Sequence, residues 1–91
     1  MTINNIDVYL PDSRTAYRKI GGKTVIVNTL CDALLRLNHT GTAIWERLDG
    51  RTVEEIARDV ADLFDMPFDD VLEDVVEFLN TLSEKKLVKQ I

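Results

Sequence analysis

Two singletons and a row of acids are the side chains here that could do chemistry. His39 and Cys31 are the one histidine and the one cysteine of the chain. A zinc site needs about four clustered nitrogen, sulfur or carboxylate ligands, and a nucleophilic thiol needs a placed base. The paired acids Asp69-Asp70 and Glu73-Asp74 have the residue types of a carboxylate dyad. Acid–base work also needs a cleft that moves their pKa values, and a helix end in a small chain is a solvated place. The structural reading of each is plainer. His39 is a surface or capping residue at a helix start, Cys31 an ordinary thiol in a turn, and the acids a solubilising face. No Gly-rich phosphate loop is present. The expectation is a binding protein, not an enzyme, with no cofactor and no metal.

The chain has 91 residues, enough for one domain with a modest core. Its 45% hydrophobic and 30% charged fractions are those of an ordinary globular chain. One cysteine allows no internal disulfide, which fits a reducing compartment. The first residues carry neither a basic region nor an apolar run, and no stretch approaches the roughly 20 apolar residues that span a bilayer. A cytoplasmic chain with no membrane partner is expected. The net charge of −5 is unevenly spread: residues 1–51 carry +2, residues 52–84 carry −10, and residues 85–91 carry +3. Such an acidic half repels phosphate backbone, so nucleic acid is a poor partner.

The elements that must position any site follow from periodicity. Residues 3–10 alternate loosely, with Ile6, Val8 and Leu10 on one side, as in a half-buried strand. Ala16 to Ile20 reads as a strand, Gly21-Gly22 as a tight hairpin turn, and Lys23-Thr24-Val25-Ile26-Val27 as its β-branched partner. Asn28 to Asp32 is a connection. Ala33-Leu34-Leu35-Arg36-Leu37 suits a last strand, because the hairpin leaves an edge to pair, although its leucines would equally suit a helix.

Three helices are expected after it. Asn38 or Thr40 can cap the first, in which Ile44 and Leu48 fall four apart. Gly50 suits the left-handed residue that ends a helix. Thr52-Val53-Glu54-Glu55 has the form of a capping box. Val53, Ile56, Ala57, Val60 and Phe64 then share one face, and Pro67 breaks the run. In the third helix Val71, Val75, Phe78 and Leu82 form one stripe, with Leu72 and Leu79 beside it. Leu87, Val88 and Ile91 make an apolar tail expected to pack back on the body.

The stretch Leu37-Asn38-His39-Thr40-Gly41-Thr42-Ala43-Ile44-Trp45-Glu46-Arg47-Leu48-Asp49-Gly50-Arg51-Thr52-Val53-Glu54-Glu55-Ile56 resembles the signature of PqqD-like proteins. Phe64-Asp65-Met66-Pro67, Asp74-Val75, Phe78-Leu79, Leu82 and Leu87-Val88 extend the likeness, which covers about residues 20–90. The resemblance implies an α+β, winged-helix-like domain, a three-stranded antiparallel sheet followed by three helices, making residues 1–91 a single leader-peptide-recognition domain. It implies a non-catalytic module that captures the leader of a ribosomally made precursor peptide. The leader would pass to a modifying enzyme, either a radical S-adenosylmethionine protein or a leader peptidase or cyclase. Val25-Ile26-Val27-Asn28 and Leu37-Asn38 are as similar to the stand-alone proteins of lasso-peptide pathways as to pyrroloquinoline-quinone members, so the pathway stays open.

A domain of that kind needs an open sheet edge and pockets for alternate side chains. Ala33, Leu34, Leu35, Arg36 and Leu37 supply the edge. The third helix supplies an adjacent wall, with Val71, Val75, Phe78 and Leu82 as pocket floor and Asp74 as a charged contact. For Val75, Phe78 and Leu82 a core role fits the spacing equally well. The alternative class is a winged-helix DNA-binding regulator. A reading helix should carry Arg, Lys, Asn or Gln toward base edges, and both later helices present Glu and Asp instead.

Overall fold

The computed structural model describes residues 3–21, 23–30 and 33–91, with Ala33 described for its backbone alone. Cys31 and Asp32, in the expected connection, and Gly22, in the hairpin turn, lie outside the described residues. The elements run β1 (Tyr9–Pro11), β2 (Thr15–Ile20), β3 (Lys23–Asn28), β4 (Ala33–Leu37), α1 (His39–Trp45), α2 (Val53–Phe64), α3 (Phe68–Glu84) and β5 (Val88–Gln90). This is the expected α+β order: an antiparallel meander β2-β3-β4, then three helices. Ala33–Leu37 is a strand, in register with β3 from Thr24↔Leu37 to Asn28↔Ala33. Gly21, at φ 59°, supplies the positive φ that a two-residue hairpin between Ile20 and Lys23 requires.

The N-caps of α1 and α2 are where the sequence puts them. However, α1 ends at Trp45 with Glu46 as its C-cap, so Leu48 and Gly50, the latter at φ 111°, lie in the turn that follows instead of closing the helix. Asn38, not Thr40, caps α1 by accepting from the Gly41 N–H at 2.8 Å. A Cβ on Gly41 would stand 3.3 Å from both the Asn38 Oδ1 and the Leu37 Cβ, so this close turn from β4 into α1 favours glycine. Thr52 and Glu55 form the full capping box of α2. The first turn of α2 is satisfied from outside as well: Val53 N–H donates to the Asp7 carbonyl and Glu54 N–H to the Asn5 carbonyl.

That use of residues 5–7 corrects the first expectation. Instead of a strand over 3–10 there is a turn, closed by Asn4 N–H on the Asp7 carboxylate and Asp7 N–H on the Asn4 carbonyl. The strand begins only at Tyr9, so its pairing starts on a different phase: Tyr9 is buried and Ile6 is 78% exposed. Antiparallel pairing of β1 with β5 adds a small second sheet. Leu87 and Val88 pack back as expected, whereas Ile91 is exposed.

One core fills the space between the meander and the helices. Ile26 and Leu37 face it from the sheet, Ala43, Ile44 and Trp45 from α1, Val53, Ile56, Ala57 and Val60 from α2, and Val71, Val75, Leu79 and Leu82 from α3. Phe64, expected on the buried face of α2, is 37% exposed. It is the last residue of its helix, beyond the reach of the packed turns. Trp45 is buried, and the Tyr17 ring meets it edge-on at 6.0 Å.

Candidate functional site

The hydrogen-bonding phase of the sheet decides which backbone groups are free. Thr29 N–H donates to the Arg14 carbonyl at 3.2 Å. These two residues continue the β2–β3 register by one step beyond Thr15↔Asn28. Antiparallel partners alternate between hydrogen-bonded and non-bonded pairs. Residues 16, 18 and 20 of β2 therefore bond β3, and residues 24, 26 and 28 of β3 turn the other way, toward β4. On β4 the bonded residues are then Ala33, Leu35 and Leu37. Leu34 and Arg36 direct their N–H and C=O groups outward, to an edge that no other described strand covers.

A groove of about 510 Å³ lies along that edge. Leu35, Arg36, Leu37 and Asn38 form one wall, with Thr40, Gly41 and Ile44 of α1 and Met66 of the α2–α3 junction at the base and end. Asp74, Phe78 and Thr81 of α3 form the opposite wall. Those three fall four and three apart, one helix face. The far end of α3 is tied to the sheet by Asn28, whose side-chain amide donates to the Lys86 carbonyl at 2.7 Å.

Of the residues the sequence points to, the structure brings Leu35, Arg36, Leu37, Asp74 and Phe78 together on the groove. Leu34 contributes its free backbone and a side chain 52% exposed on the outer face of the sheet. Ala33 contributes backbone paired to Asn28. Val71, Val75 and Leu82 are not pocket floor: all three are 0% exposed and belong to the core. The apolar stripe of α3 packs inward, and the groove is walled by the neighbouring face, about a quarter-turn round the helix, where Phe78 is half-buried. Thr81 was readable as the residue three beyond Phe78. Asn38, Thr40, Gly41, Ile44 and Met66 come into the groove only through how α1 and the α2–α3 junction pack, which spacing does not reveal.

Charge divides the groove. Arg36 on β4 and Asp74 on α3 are exposed, and neither makes a hydrogen bond or ion pair with any described residue. Some other cations are engaged: Lys19 with Glu46, Arg51 with Asp49 and Asp59, Arg58 with Glu54. The second edge of the sheet, β2, differs from β4. Its inward side chains are already used, Tyr17 against Trp45 and Lys19 on Glu46. Among the described residues no group of three His, Cys, Asp or Glu side chains could hold a metal ion, and no helix is long and apolar enough to cross a membrane.

Comparison with known proteins agrees with this architecture. The family profile described as Coenzyme PQQ synthesis protein D (PqqD) matches residues 21–88. Curated protein sequences give no match. Among solved structures, TbiB1 in complex with the TbiA(beta) leader peptide is 22% identical with a TM-score of 0.81, covering 88% of this chain and 94% of that one. The PqqD truncation of Methylobacterium extorquens PqqCD, a stand-alone ribosomally synthesized and post-translationally modified peptide (RiPP) recognition element, is 21% identical. It also has a TM-score of 0.81, covering 97% of this chain and 95% of that one. These likenesses speak for a common fold. The profile match spans β3, β4, all three helices and the start of β5, most of the chain, and the chain therefore belongs to the PqqD family.

Proposed function

We propose that this chain is a non-catalytic recognition module that captures the leader segment of a ribosomally made precursor peptide and presents it to a modifying enzyme. The observation that carries the reading is the free backbone of Leu34 and Arg36 beside a half-apolar groove walled by α3. A peptide strand laid there gains main-chain hydrogen bonds from the edge and side-chain contacts from the groove. Its alternate side chains reach Leu35, Ile44 and Phe78, with Asp74 and Thr81 at the rim. Val71, Val75 and Leu82 support the wall from below. Two relatives of the same fold favour this reading, one solved with a leader peptide and one described as a RiPP recognition element. The partner that takes over the leader is a radical S-adenosylmethionine protein, or a leader peptidase or cyclase.

Duplex DNA fits the surface poorly. The exposed side of α3 carries Asp69, Asp70, Glu73, Asp74 and Glu77, which repel phosphate. Titration of the purified chain with a leader peptide and with duplex DNA, both at low salt, tests the proposal. Saturable binding of the peptide alone is expected; binding of DNA alone would overturn it. Arg36→Pro removes an outward N–H and should weaken peptide binding at least about tenfold, while edge strands tolerate proline. Leu35→Pro instead breaks a bond inside the sheet and should unfold it.

A further inference from the structure

On the reading that β4 captures a leader strand, we infer that the chain selects strands carrying an acidic and a basic side chain at adjacent positions. The acid lies beside Arg36 and the base points at Asp74. Arg36 faces the free edge with its backbone, so a strand added there, in either direction, sets one residue directly opposite it. Opposed residues share a face of the sheet with Cβ atoms roughly 5 Å apart. The Arg36 guanidinium has no partner among the described residues, and a carboxylate on that opposed residue supplies one.

The next residue of the added strand projects to the other face, which is the groove. There the charged group is Asp74, also without a partner, with Glu73 and Glu77 beside it on α3 and no cation of the same helix in reach before Lys85. A lysine or arginine at one groove-facing position relieves that repulsion. The other groove-facing position meets Phe78 and Leu35 and suits an apolar side chain. The two unpaired charges of this site thus sit on opposite sides of an added strand. An acid and a base two residues apart would fall on the same side, leaving one of them uncompensated.

Three synthetic peptides sharing one apolar strand frame test this: one with Glu and Lys adjacent, one with them two apart, and one with Gln at both places. Fluorescence anisotropy at low salt should show the adjacent pair binding about three- to tenfold tighter than the Gln peptide, the range of two rim ion pairs, and about two- to fourfold tighter than the spaced peptide, which makes one. The preference for adjacent over spaced charges should shrink with added salt and vanish in Arg36→Gln and in Asp74→Asn. Equal affinity for adjacent and spaced peptides would overturn the charge alternation and leave leader capture standing. If none of the three binds, strand addition at this edge fails together with it.

Discussion

The buried side-chain amide of Asn28 donates to the Lys86 carbonyl, joining the end of β3 to the turn after α3. Asn28 also holds the next loop, its Oδ1 accepting from Leu30 N–H at 2.9 Å. Lys86 sits at φ 59°, so this carbonyl belongs to a left-handed turn that reverses α3 into β5. The bond spans the two halves of the chain and sets where the α3 wall stands relative to β4.

Asn28→Ala should therefore lower stability by about 1–3 kcal/mol, the range for stranding a buried hydrogen-bond partner. Urea denaturation should show an earlier midpoint with an unchanged slope. Peptide affinity should fall as well, because the end of the groove is no longer held.

Trp45→Ala should cost roughly 3–5 kcal/mol, the range for truncating a large core aromatic. Trp45 is buried between α1 and the sheet and carries the Tyr17 ring. Trp45→Phe should recover most of the loss. Thermal melting distinguishes these outcomes, and an unchanged melting temperature for Trp45→Ala would contradict the packing.

Asp12 sets an acid limit on stability. Its carboxylate accepts from the Arg14 backbone N–H and, at 2.9 and 3.0 Å, from the Arg14 guanidinium. These bonds hold its carboxyl well below the usual carboxylate range. A carboxyl more acidic in the folded chain contributes stability above its unfolded pKa of about 4 and loses it as pH falls toward the folded value. Asp12→Asn should lower the melting temperature at pH 7, and the gap from wild type should narrow below about pH 4. An equal gap at pH 7 and pH 3 would rule this out.

Asp74→Asn should slow peptide association, and added salt should slow association with the wild type. Glu73→Gln, one residue off the groove wall, should have the smaller effect. Dissociation should change less in both, since the apolar contacts of Phe78 and Ile44 set residence. Stopped-flow association across a salt series gives both numbers.

Most of the architecture was legible because local rules and packing agree. Asn38 and the Thr52–Glu55 box mark helix starts by hydrogen bonding that needs only neighbours, whereas the end of α1 at Trp45, ahead of Gly50, carried no such signal. The Gly21-Gly22 hairpin fixed the pairing of β2 with β3. The first strand was misplaced because the Asn4–Asp7 turn overrides a weak alternation and hands its carbonyls to α2, a contact across the chain. The site was half legible. Period 3.6 identified the apolar stripe of α3, but a stripe that apolar is what the core takes. The groove uses the adjoining face, where a half-buried Phe78 stands between Asp74 and Thr81. Which β4 residues face the free edge depends on ladder phase, and no feature of Ala33–Leu37 alone encodes it.

Amide hydrogen exchange followed by NMR, with and without a leader peptide, tests strand capture at β4 most directly. In the free chain Leu34 and Arg36 should exchange fast and Leu35 slowly, since Leu35 already bonds β3. Bound peptide should protect Leu34 and Arg36 and leave Tyr17 and Lys19, on the opposite edge, unchanged. Protection of Tyr17 and Lys19 instead, or fast exchange at Leu34 and Arg36 under saturating peptide, would contradict the account.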